Sequence, residues 1–254
     1  MLRSGAFGTD EPTEPMSAYK WQQLYRLSQI HGVTPWVADG TRLHHDDFFL
    51  QLPPDQRRIF ADDRTPRTEQ VGALHLTNPS LDRRLQQLAE EAGPEDVTFQ
   101  MLRLLVAIGK NILSQGISLR QLIALGTKVR NADEGLFYDV LRKWIASLSM
   151  QRMVRLEGKL LVGLFHFSPE EILFADLRSM GDTRRVVQDM FRVTQQNAAE
   201  WYFTQGDSIF VRANNSGSML FHLRHSARYM PYYPLEAVTN FATNFARSLT
   251  HIEE

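Results

Sequence analysis

The stretch "VTFQMLRLLVAIGKNILSQGISLRQLIALG", residues 97–126, decides the fold of this chain. Its first twenty residues are apolar around most of a helix circumference, and such a helix normally lies at the centre of a domain. Gly116 can take the left-handed conformation that ends one helix, and the Ser118 side chain can cap the start of the next. The stretch therefore predicts two core helices joined by a corner that is encoded locally.

Helical periodicity continues on both sides of this corner. Ser17 and Asn78 are predicted N-caps, and Gly32 and Gly93 follow the apolar stripes that these caps begin. Helices are predicted over residues 17–32, 45–52, 52–60, 78–94, 97–116, 118–126, 135–150, 152–167, 182–201 and 234–249, with a further helix start at 168–171. A short strand is considered over residues 70–76, and residues 201–212 are left open between helix and hairpin. The predicted fold class is all-α, a bundle-like multi-helix domain with at most a minor β-hairpin.

The domain organisation predicted from composition has two parts. Residues 1–16, rich in glycine, proline and acids, are expected to be a mobile N-terminal segment without a signal peptide. Residues 17–254 are expected to form a single helical domain, with N-terminal helices over 17–60, a central core over 79–180 and C-terminal helices over 181–254.

Bulk composition narrows the function classes. The chain of 254 residues is 43% hydrophobic and 22% charged, has a formal net charge of -1, and contains no cysteine. The charge gives no global attraction to nucleic acid or anionic membranes, and the missing thiols exclude disulfides and a cysteine nucleophile. The longest apolar run, around "MLRLLVAIG", is judged too short and interrupted for a membrane span. A cytoplasmic protein with no membrane association is therefore predicted.

Several short motifs together resemble one protein family. They are "GISLRQL" at Gly116–Leu122, "LLVGLFHFSPEE" at 160–171, "WQQLYRLSQIHGVTPWV" at 21–37 and "YMPYYPLEAV" at 229–238. The combination is similar to the uncharacterised nucleotidyltransferase-like proteins of bacteria called nucleotidyltransferase family 5. The resemblance implies a helical accessory region, and in active members a β-rich catalytic domain with a Gly-Ser turn and an Asp-x-Asp pair that binds Mg²⁺.

The catalytic part of that pattern is missing here. "NNSGS" at 214–218 has no Asp-x-Asp after it, and none occurs anywhere in the chain. The pairs Asp46–Asp47 and Asp62–Asp63 are adjacent, so on a strand their carboxylates would point to opposite faces. Ile123 stands where the family corner usually continues with an acid. The chain is therefore interpreted as a degenerate member that keeps the helical scaffold, with no catalytic residue, metal site or cofactor.

Two places remain as weak anion-binding candidates. Arg120 and Gln121 begin a predicted helix, where free N–H groups also attract phosphate or carboxylate, although Arg120 could equally cover apolar surface with its stem. The second place is the acid-free stretch 208–235, which carries Arg212, Arg224 and Arg228 between aromatic residues. Such a mixture can bind single-stranded nucleic acid or nucleotide, but aromatic residues there can also complete a core.

The His44–Asp47 stretch, "HHDD", allows two interpretations, a metal site and a polar helix start. Two ligands on one helix face do not make a site, so the second interpretation is preferred. The leading hypothesis is a non-catalytic module that binds a protein partner or a second copy of itself. The alternative is a nucleotide- or nucleic-acid-binding protein with residual nucleotidyltransferase-type activity.

Overall fold

In the computed structural model the protein is all-α, as predicted, and no strand occurs in the described part of the chain. The structure describes residues 1–50, 52–62, 67, 72, 74–114, 117–132, 135–177, 187 and 229–250, with the side chains of 61, 62 and 244–250 excepted. The helices within these ranges are α1 Leu2–Phe7, α2 Ala18–Ile30, α3 Thr34–Leu43, α4 Pro54–Asp62, α5 Pro79–Ala92, α6 Val97–Ser114, α7 Leu119–Arg130, α8 Tyr138–Ser147, α9 Gln151–Phe165 and α10 Pro234–Thr250, with a 3₁₀ turn at Pro169–Glu171.

Helix α6 is the centre of the main core, as its sequence predicts. It packs against α5, α7, α8 and α9. Leu102, Leu105, Val106 and Ile112 are fully buried, so apolar side chains all round the helix are covered by neighbours. By length and composition α6 could cross a membrane, contrary to the expectation from sequence, but most of its side chains are buried inside the protein. That burial is the pattern of a core helix, while the cytoplasmic location stays a prediction.

The corner after α6 forms as predicted at its described residues. The Ser118 hydroxyl accepts a hydrogen bond from the Gln121 backbone N–H at 3.4 Å and caps α7. Leu119 and Leu122 then enter the core. Gly116 lies outside the described residues, so its predicted role in ending α6 stays a prediction.

Part of the N-terminal segment 1–16, which was expected to be mobile, forms a packed helix, while its mobility as a whole stays a prediction. Residues 2–7 form α1, which packs closely on α3. Its Ser4 is fully buried, and its Phe7 packs against the main core. The average composition of the segment did not predict this helix, because its contact with α3 depends on single residues such as Gly5, which lies against the Trp36 backbone.

A second, smaller hydrophobic cluster joins α2, α3 and α4. Its buried members are Trp21, Val37, Ala38 and Phe60. Leu2 of α1 packs against this cluster and also against the main core. Helix α1 therefore bridges the two clusters.

Other departures from the predicted elements have local causes. The helix predicted over 45–52 does not form at its described residues: 44–46 and 48–49 are turns, because the Asp47 carboxylate bonds the backbone instead. Helix α3 was not predicted. Residues 74–76, the described end of the considered strand, have no regular structure. The predictions for 182–201 and 201–212 fall outside the described residues, apart from Val187.

Candidate functional site

Phe48, the most exposed large apolar side chain of the described residues, lies between α3 and α4 and has two further exposed apolar neighbours. Phe48 is 84% exposed, Phe49 is 51% exposed, and Leu43, at the end of α3, is 62% exposed. The two phenylalanine rings stand edge to face with centroids 5.6 Å apart. Residues 43–49 are called the phenylalanine loop below. Large apolar side chains grouped at an exposed turn are a typical feature of a binding surface.

Asp47 holds this loop in shape. One carboxylate oxygen accepts a hydrogen bond from the Phe49 backbone N–H at 2.9 Å, and the other accepts one from the Thr13 hydroxyl. The Thr13 hydroxyl and the Phe49 N–H lower the pKa of Asp47, because both bonds favour the charged carboxylate. The rings are thus presented by a turn tied to the N-terminal segment, which reduces the conformational entropy that binding would cost.

The imidazoles of the loop are occupied in the same local network. His44 Nε2 lies 3.0 Å from the buried Ser4 hydroxyl, and His45 Nε2 lies 3.0 Å from an Asp46 carboxylate oxygen. Among the described residues no three carboxylate or histidine side chains converge on a common point. The metal interpretation of "HHDD" therefore gains nothing from the structure.

Arg120 and Gln121 each contact a different part of the protein. Gln121 is 7% exposed, and its side-chain oxygen accepts a hydrogen bond from the Asn111 amide at 2.9 Å. The Arg120 stem lies against the α2–α3 turn, where a Cβ added at Gly32 would sit 3.5 Å from Arg120 Cδ. This contact joins the corner to the N-terminal helices, and the choice between anion binding and surface covering for Arg120 stays open.

The basic candidates of the C-terminal region, Arg212, Arg224 and Arg228, lie outside the described residues. Two of the aromatic residues that accompany them in sequence are described. Tyr229 is 2% exposed and Tyr233 is fully buried, and both belong to the main core. These two rings complete the core and are closed to base stacking.

Two features of the structure were not predicted from the sequence: an exposed aromatic pair and a buried acid. The exposure of Phe48 and Phe49 was hidden by the predicted helix, although an Asp two residues before Phe49 is a signal for a side-chain-stabilised turn. The second feature is Glu157, a fully buried acid on α9. Its signal was available in the sequence, since Met153 and Leu160 place it in the apolar stripe of the helix.

Comparison with known proteins leaves the site without a precedent: no family model, curated protein or solved structure matches this chain. The resemblance to nucleotidyltransferase family 5 therefore stays a prediction from the short motifs alone.

Proposed function

We propose that this chain is a protein-interaction module without catalytic activity, and that the phenylalanine loop is its contact surface. The single observation that carries the proposal is the exposure of Phe48 and Phe49, side by side on a turn. Burying apolar surface is favourable by roughly 25 cal/mol per Å², so two such rings are stabilised by an apolar partner surface. Aromatic residues are also enriched among the side chains that dominate interface energies.

The loop suits a partner better than it suits the core of its own domain. Asp47 fixes the backbone of the turn while both rings point outwards. The side chains of His45 and Asp46 flank the rings and are 71% and 88% exposed. A polar rim around an apolar centre is the usual composition of a protein–protein interface. The partner is another protein or a second copy of this chain.

The test compares the wild-type chain with a double variant that carries both Phe48→Ser and Phe49→Ser. Sedimentation velocity over a concentration series measures self-association, and affinity capture from the source cell measures binding of a different protein. We expect the double variant to lose at least ten-fold in affinity in whichever assay shows association, because each buried phenylalanine contributes more than 1 kcal/mol or so. Thermal unfolding should stay unchanged, since neither ring belongs to a hydrophobic cluster in the described part of the chain.

Phe137→Ser is the matched control. Phe137 precedes α8 and is 59% exposed, so its removal takes one exposed ring from another part of the surface, against two in the double variant. Association that survives the double variant rejects the loop as the interface, and a monomer that captures nothing rejects the interaction module altogether. Nucleoside triphosphate binding that is abolished by Arg224→Ala with Arg228→Ala would favour the nucleotide-binding alternative instead.

A further inference from the structure

The N-terminal residues 1–13 connect the main core to the phenylalanine loop, and they are called the strap below. Near one end, the Phe7 ring packs edge to face on Phe165 of the main core, with the ring centroids 5.3 Å apart. At the other end, the Thr13 hydroxyl donates a hydrogen bond to the Asp47 carboxylate of the loop. The strap therefore contacts both the core and the proposed contact surface.

A second contact joins α1 itself to the phenylalanine loop. The Ser4 side chain is fully buried, and its hydroxyl lies 3.0 Å from His44 Nε2. Next to it, the backbone at Gly5 approaches α3 so closely that an added Cβ would overlap the Trp36 carbonyl oxygen. His44 directly follows the last residue of α3. Docking of α1 on α3 therefore places the Ser4 hydroxyl against the first turn of the loop.

The Phe7 end of the strap is seated where α7 has a glycine. A Cβ added at Gly126 would lie 2.8 Å from Phe7 Cζ and 2.9 Å from Phe167 Cζ, so it would push on both rings. One turn further along α7, the Arg130 guanidinium carbon lies 5.0 Å from the centre of the Phe7 ring. Gly126 is on α7, whereas the phenylalanine loop follows α3. A substitution at Gly126 can therefore act on the strap without changing a residue of the loop.

The helix of the strap depends on its docking. It has six residues, and isolated helices of that length do not form stably in water. Ser4 is its buried residue. Arg3 pairs with Glu11 of the strap at 3.0 Å and contacts the His166 ring, whose side chain is 62% exposed, and ion pairs at a surface contribute little. The strap is therefore an element that opens locally before the protein unfolds.

The phenylalanine loop in turn needs the strap to keep its shape. Its internal hydrogen bonds include the Phe49 N–H to the Asp47 carboxylate at 2.9 Å and the Asp47 N–H to the His44 carbonyl at 3.0 Å. The entropy lost by ordering one residue is comparable to the net gain from one hydrogen bond, so such a turn is marginal by itself. Thr13 and Ser4 of the strap contact the side chains of two residues that form the turn.

We propose that the strap regulates the phenylalanine loop: the loop keeps the shape that presents its rings while α1 is docked, and it becomes disordered when α1 leaves α3. This regulation rests on the function proposed above, since a partner senses it only if the loop is the contact surface. By linkage, a partner that binds the ordered loop also stabilises the docking of α1. The strap thus joins the packing of the main core to the binding surface.

Native-state hydrogen exchange of the full chain, measured by NMR without a partner, tests this coupling. The Gly8 N–H donates to the Ser4 carbonyl at 2.8 Å and reports on α1. The Phe49 N–H donates to the Asp47 carboxylate and reports on the loop. If the loop loses its shape whenever α1 undocks, the protection of the two amides against exchange must change together.

Gly126→Ala perturbs the strap from the side of the main core. We expect it to lower the protection of both amides by about ten-fold, because the added Cβ displaces the Phe7 ring from its seat. Gly135→Ala is the matched control. A Cβ there would lie 3.8 Å from Val97 Cγ2, which is an ordinary contact, so both amides should keep their protection.

Two further variants separate the ends of the strap. Phe7→Ala should lower the protection of both amides, as Gly126→Ala does. Thr13→Val removes the hydrogen bond to the loop, so it should lower the protection of Phe49 while Gly8 keeps most of its own. The coupling is overturned if Gly8 loses protection in the Gly126 or Phe7 variant while Phe49 keeps it. It is also overturned if neither amide changes in either variant.

These exchange measurements need no partner, so their result is independent of the association assays on the phenylalanine double variant. A chain that captures nothing would reject the interaction module, while the exchange data would still decide whether the strap orders the loop. Once a partner is captured, adding it at saturation should raise the protection of Gly8 and Phe49 together. Protection gained by Phe49 alone would show that binding does not stabilise α1, and would overturn the regulation.

Discussion

At the scale of single residues, two glycines determine how the N-terminal helix sits. A Cβ added at Gly5 would overlap the Trp36 carbonyl oxygen, and one added at Gly40 would overlap the Met1 carbonyl oxygen. The overlapping atoms belong to the backbone, so no side-chain rotation can relieve them. Helices α1 and α3 therefore approach each other closely enough that only glycine fits at both crossing points.

Replacing Gly40 by Ala should separate these two helices. We expect a loss of about 2 kcal/mol or more in the free energy of unfolding, because overpacking outweighs the gain in helix propensity of up to about 1 kcal/mol. Urea denaturation of the full chain measures it. Arg42→Ala, on the same helix with a side chain that is 70% exposed, is the control and should change stability by less than about 0.5 kcal/mol. Equal stability of the Gly40 variant and the wild type would contradict the close approach.

The predictability of individual residues depends on where their partners lie. Ser17, Asn78 and Ser118 were predicted as caps and are confirmed, because a cap bonds backbone groups two or three residues further along. Gly5 and Gly40 carried no such signal, since each is explained only by a helix distant in sequence. Phe48 lies between these two cases: Asp47 stabilises its turn through a local bond from the Phe49 N–H and through a bond from the distant Thr13, and periodicity reveals only that the residues are apolar.

At the scale of elements, the caps differ in what else they hold. Asn78 accepts hydrogen bonds from the N–H groups of Ser80 and Leu81 at 3.1 and 3.2 Å, and its amide also reaches Thr239 of α10. Ser118 makes one cap bond at 3.4 Å. The first cap therefore serves two helices, whereas the second cap serves α7 alone.

Removing each cap should expose this difference. We expect Asn78→Ala to cost about 2 kcal/mol in the free energy of unfolding and Ser118→Ala about 0.5 to 1 kcal/mol. Asn78→Ser keeps a capping oxygen but is too short to bond Thr239, so its cost should fall between the two. Chemical denaturation followed by circular dichroism gives all three values. If both alanine variants lost the same stability, the bond from Asn78 to α10 would contribute nothing to the free energy of unfolding.

At the scale of the whole molecule, the all-α class could be predicted because each helix carries its own apolar period. The arrangement of the helices into two clusters could not, since it depends on α1, whose six residues are too few to show a period. Phe7 packs against the larger core together with Leu2 and Ala6 of α1. Its ring meets Phe165 and Phe167 edge to face at 5.3 and 5.2 Å, and the Arg130 guanidinium carbon lies 5.0 Å from its centre.

Truncating Phe7 to Ala should therefore weaken the smaller cluster more than the larger one. A fully buried phenylalanine costs about 3 to 5 kcal/mol when truncated, and about 2 kcal/mol is expected for this partly buried ring. Native-state hydrogen exchange resolves where the loss falls. Amides of α3 should exchange about thirty-fold faster, while the slowest amides of α6 keep their protection. Phe137→Ala, which removes an exposed ring, should change neither set. Equal acceleration in α3 and α6 would mean that the two clusters unfold as one unit, and that α1 is part of a single cooperative core instead of the bridge between two.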